Sequence, residues 1–75
     1  MTPVQRKQNA ERLLNDPTLR EALDVLRNAQ IAVFTSHTCE DAEVMEARRM
    51  VRALDALEDQ LKRFILDGKL VERRK

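Results

Sequence analysis

The chain has 75 residues and 36% charged side chains, yet its formal net charge is only +1. That balance argues against generic nucleic-acid binding over the whole surface and against an acidic, solvating disordered chain. One cysteine cannot form an internal disulfide, and no apolar run approaches the roughly 18 residues of a membrane span.

The first helix is expected over about residues 3–15. Thr2 can cap it, Pro3 suits the first helical position, and Gln5 can close a capping box. Its apolar content is thin (Val4, Ala10, Leu13, Leu14), so it must lean on another element to persist in water. The segment Met1–Lys7 lacks the apolar core of a signal peptide, and the expected setting is a reducing one.

Asn15-Asp16-Pro17 ends this helix and opens the second, with Asp16 as cap and Pro17 as first helical residue. The second helix is expected over about residues 17–36. Leu19, Leu23, Leu26, Gln30, Val33 and Phe34 follow helical spacing, with Ala22 and Ala29 beside them. Gln30 on this stripe is read either as a register-setting polar residue or as a peripheral amide facing water, the latter favoured. Val25 and Ile31 lie off the stripe and suggest a second contact surface.

Residues 35–41 form the connector. Thr38 and Asp41 resemble another capping box, and Glu40, Asp41, Glu43 and Glu46 sit where the dipole of a third helix favours negative charge. His37 and Cys39 stand among these carboxylates. The bland reading, capping and a solvated turn, outweighs chemistry, because a hairpin tip offers neither a cleft nor convergent ligands.

The third helix is expected over about residues 39–67, with Gly68 as its C-terminal cap and residues 69–75 as a frayed basic tail. Ala47, Met50, Leu54, Leu57, Leu61 and Phe64 make its stripe, flanked by Val44, Val51 and Ile65. Met50 is assigned to the core, Leu70 is expected to fold back over Phe64 or Ile65, and Met45 is the better interface candidate. Ion pairs are expected within helices: Asp24–Arg27, Glu46–Arg49, Glu58–Lys62 and Asp59–Arg63. A short connector makes the second and third helices an antiparallel hairpin, and the first helix can bend back at Asp16-Pro17 to cover the overhang of the third.

The fold expected is therefore all-α: a long antiparallel helical hairpin with a short additional N-terminal helix in one domain. The candidate protein interface comprises Val25, Gln30, Ile31, Phe34 and Met45. A candidate basic patch comprises Arg6, Lys7, Arg12, Lys69, Arg73, Arg74 and Lys75, and ordinary solubilising charge is an equal reading of it. Further arginines cluster at Arg48, Arg49 and Arg52. No catalytic residue, metal ligand or cofactor is expected.

Two segments carry a resemblance. Glu11-Arg12-Leu13-Leu14-Asn15-Asp16-Pro17 followed by Leu19-Arg20-Glu21-Ala22-Leu23, and Leu54-Asp55-Ala56-Leu57-Glu58-Asp59-Gln60-Leu61 leading into Asp67-Gly68-Lys69-Leu70, resemble short helical proteins of tailed phages and prophages. Phe34 and the acidic turn at Glu40-Asp41 fit the same pattern. The resemblance covers about four fifths of the chain and implies a structural or regulatory role without an activity. It leads to the expectation of a non-enzymatic component or assembly factor of the virion, found in the host cytoplasm during expression and in the virion. Its partners would be phage structural proteins or further copies of itself. Two alternatives stand beside it: a small inhibitor or adaptor of a host factor, anti-CRISPR-like or polymerase-binding, and a nucleic-acid-binding packaging or regulatory protein acting through the basic ends.

Overall fold

The computed structural model describes residues 1–74, and among them there are three helices and no strand. The helices are α1 (Pro3–Leu14), α2 (Pro17–Thr35) and α3 (Asp41–Arg73). The all-α expectation holds: a long C-terminal helix packs against two shorter ones.

The punctuation of α1 and α2 works as the residues suggest. Gln5 N donates to Thr2 Oγ1 at 3.1 Å while Thr2 N donates to Gln5 Oε1 at 2.9 Å, a complete capping box. Asp16 Oδ1 accepts from the backbone of Thr18 (2.8 Å) and Leu19 (3.0 Å), and Pro17 fills the first helical position. The start of α3 differs from expectation. Glu40 takes the cap position without a side-chain hydrogen bond, and Thr38 turns back to Ser36, whose Oγ accepts from Thr38 N at 3.3 Å. The expected Thr38–Asp41 box does not form.

α1 and α2 both run antiparallel to α3 and lie one after the other along it. Lys7 reaches Glu72 and Arg6 sits over Phe64, while Arg27 of α2 reaches Asp55 and Glu58. α1 thus covers the C-terminal part of α3 that α2 leaves bare. The span from Pro3 to Thr35 and the span of α3 each cover 33 residues, so the two sides of the rod match in length. α3 alone measures roughly 50 Å at 1.5 Å per residue, and the longest dimension of the molecule is 57 Å.

This packing corrects the expected end of α3. Gly68 is not a left-handed cap. No glycine has positive φ, and the helix runs on through Gly68 to Arg73. Gly68 is buried because α1 crosses directly over it: a Cβ there would fall into Lys7 Cβ and lie 2.9 Å from Lys7 Cδ and 3.0 Å from the Pro3 carbonyl. Lys69–Arg73 is accordingly helix rather than frayed tail, and Leu70 stays exposed instead of folding back over Phe64 or Ile65.

The core is one line along each helix. α3 turns Val44, Ala47, Val51, Leu54, Glu58, Leu61, Ile65 and Gly68 inward, alternating three and four residues apart. Ala10 of α1 and Leu23 of α2 are the buried residues opposite. Among the described residues only Ala10, Leu23, Ala47, Leu54 and Leu61 are buried apolar residues, whereas eleven large apolar side chains, Met50 among them, are at least 40% exposed.

Candidate interaction surface

Cross-helix ion pairs set the register. Arg27 Nη2 donates to Asp55 Oδ1 at 2.9 Å and to Glu58 Oε1 at 3.0 Å. Sequence spacing suggested Asp24 for Arg27 and Lys62 for Glu58. Arg27 instead lies on the inward line of α2 between Leu23 and Gln30, where the facing carboxylates of α3 are nearer. The Glu58 hydrogen bond, followed by the charges of Glu58 and Asp55, raises the Arg27 pKa above its ordinary value against a smaller opposing effect of burial. The Glu46–Arg49 pair forms as expected, at 3.5 Å and fully at the surface. Because Glu58 is the more covered partner, Arg27→Met leaves a carboxylate without its cation. We expect thermal unfolding followed by circular dichroism to show a lower midpoint for Arg27→Met, and recovery of most of the loss in Arg27→Met/Glu58→Leu.

Of the expected basic patch, Lys7 is engaged in ion pairs, and Arg6 and Arg12 touch neutral groups. Lys7 Nζ donates to Glu72 at 2.9 Å and pairs with Glu11 at 3.7 Å. The Glu72 hydrogen bond, followed by the Glu11 and Glu72 charges, lifts the Lys7 pKa above its ordinary value. Arg6 stacks over the Phe64 ring at 5.9 Å from its centre, and Arg12 donates to Asn9 at 3.3 Å. α1 does bring Arg6 and Lys7 to the C-terminal end of α3, which carries Lys69, Arg73 and Arg74. There Lys7 serves to hold two helices together. Lys75 lies outside the described residues.

The expected apolar interface does not assemble as one patch. Helical geometry, at about 100° per residue, puts Val25 and Met45 each about 160° from the inward line of its own helix. The two therefore face opposite edges of the hairpin. Both are strongly exposed, Val25 at 61% and Met45 at 58%. Ile31 lies about 120° around α2 from Val25. Gln30 sits half-buried on the inward line, and Phe34 is exposed near the hairpin tip.

A different surface is continuous. On α2, Leu19, Ala22, Leu26, Ala29 and Val33 recur at alternating three- and four-residue steps, about 80° to one side of the inward line. On α3, Met50, Ala53, Leu57, Gln60 and Phe64 recur in the same way and are displaced in the same rotational sense. In an antiparallel pair, equal rotation in the same sense puts both stripes on one face. Leu26 is 46% exposed, Leu57 48% and Met50 40%. At one end the face runs into a concavity of about 200 Å³ where Leu13, Leu61 and Phe64 meet Arg6 and Asn9. None of the ten stripe positions carries a charge. The ingredients are in the sequence: several of these residues belong to the apolar stripes expected for the core, and the burial pattern turns them to the side.

Elsewhere, His37 is exposed and Cys39 half-buried at the hairpin tip. Among the described residues no group of three or more His, Cys, Asp or Glu side chains is arranged to hold a metal ion, and no helix is long and apolar enough to cross a membrane. No family model, curated protein or solved structure matches this chain.

Proposed function

We propose that this chain is a non-enzymatic protein-interaction module that works by docking the apolar face of its α2–α3 hairpin. The observation that carries the reading is the pair of uncharged stripes that share one face of the hairpin, on which Leu26, Met50 and Leu57 are each at least 40% exposed. A contiguous exposed apolar surface of this kind is the usual mark of a partner site. The partner need not be acidic or basic, because the stripes carry no charge.

The likeness of residues 11–23 and 54–70 to tailed-phage helical proteins supports a more specific form of the proposal: a component or assembly factor of the virion. Mass spectrometry of purified particles and of assembly intermediates tests it. Recovery of the chain in fixed ratio to structural proteins is the expected result. Recovery with a host protein alone, and never with particles, replaces the virion reading with that of an inhibitor or adaptor.

A further inference from the structure

We infer that the occupant of the α2–α3 face is a second copy of this chain, packed on it about a two-fold axis that runs along the rod. The inference rests on that face being a docking surface, as proposed above, and names what docks there.

The first support is area. A compact chain of 8.7 kDa is expected to expose about 4,700 Å², whereas this one exposes 5958 Å². Its radius of gyration is 16.3 Å, against about 11 Å for a compact domain of this length. The surplus is about 1,200 Å², and a stable dimer covers about 800 Å² on each partner. One copy of the chain therefore carries enough surplus surface for a dimer interface.

The second support is self-complementarity. The α2 stripe runs from Leu19 to Val33 and the α3 stripe from Met50 to Phe64, so each spans fifteen residues. A two-fold axis along the rod lays the α2 stripe of one copy over the α3 stripe of the other, antiparallel and of equal length. Both stripes include small residues between large ones: Ala29 between Leu26 and Val33, and Ala53 between Met50 and Leu57. The register that Arg27 sets with Asp55 and Glu58 then brings Leu26 level with Leu57, Val33 with Met50 and Leu19 with Phe64 across the axis, while Ala29 and Ala53 face one another and let the helices approach. An isologous contact needs a surface that can meet itself, and two uncharged stripes of equal length in antiparallel register meet that need.

Sedimentation equilibrium from about 1 to 200 µM, a range that brackets ordinary dimer affinities, tests the inference on the full chain. The variants Ala29→Arg and Ala53→Arg add a long charged side chain at exposed positions, where a monomer has room for it. Leu66→Arg does the same on the opposite side of α3, where Leu66 is 58% exposed. The expected result is a mass of twice 8.7 kDa for the wild type and Leu66→Arg, and a dissociation constant raised at least about tenfold in both alanine variants. Loss of helicity in the alanine variants but not in Leu66→Arg carries the same meaning, because folding and pairing are then coupled. A wild-type chain that stays at 8.7 kDa throughout, or a dimer broken only by Leu66→Arg, overturns the inference. In the monomer case, binding of an apolar dye that Ala29→Arg and Ala53→Arg reduce leaves the docking reading intact with another partner. A folded monomer that binds no dye sinks both.

Discussion

Gly68→Leu is expected to detach α1 from α3 while leaving the α2–α3 hairpin helical. The position lies inside a helix, where glycine is ordinarily a liability of about 1 kcal/mol relative to alanine. Here that local preference is overruled. An added Cβ would meet Lys7 Cβ, which is fixed to the α1 backbone, and the Pro3 carbonyl at 3.0 Å, so neither neighbour is the free end of a side chain. Even Gly68→Ala should lower stability, because overpacking costs about 1–3 kcal/mol and exceeds the gain in helix propensity. With leucine the helices cannot approach at all. Lys7 then loses Glu72 and Arg6 loses Phe64, the contacts that tie α1 down. Amide hydrogen exchange reads this directly: protection over residues 6–14 should collapse in Gly68→Leu, while protection around Leu23 and Leu54 persists. A Gly68→Ala variant with a raised unfolding temperature would contradict the close crossing.

The same glycine shows where the sequence stops being legible. Thr2-Pro3 and Asp16-Pro17 announce helix starts because capping is settled by residues two or three positions apart, and both caps form. Gly68 serves a neighbour 61 positions away, and residue identity alone does not separate a glycine that ends a helix from one that lets another helix pass. Ion pairs divide along the same line. Glu46–Arg49 lies within one turn and was readable, whereas Arg27 chooses between its own helix and the carboxylates of α3 only once the register is fixed. The apolar face was half-legible. The spacing revealed helices with apolar stripes broader than one seam. Which edge of each stripe turns inward depends on helix rotation, which Arg27, Glu58, Ala10 and Gly68 set together. Hence Met50, Leu57 and Leu26 read as core and stand at the surface.

Leu54→Ala is expected to unfold most of the population. Leu54 is 6% exposed on the inward line of α3, the helix against which both α1 and α2 pack. Truncating a buried leucine costs about 2–5 kcal/mol, and a core of this size supplies about 3–5 kcal/mol in total. The two quantities are of the same order, so one methyl-bearing side chain decides whether the hairpin persists. Leu66→Ala provides the contrast. The chemistry is identical and the position is on the same helix, but Leu66 is 58% exposed, so the change should stay within about 0.5 kcal/mol. Urea unfolding followed by circular dichroism separates them, best at the lowest workable concentration, where any association contributes least to apparent stability. Leu54→Ala should lose its folded baseline while Leu66→Ala keeps the wild-type midpoint. Equal behaviour of the two would mean that the line through Ala47, Leu54 and Leu61 is not what holds the three helices together.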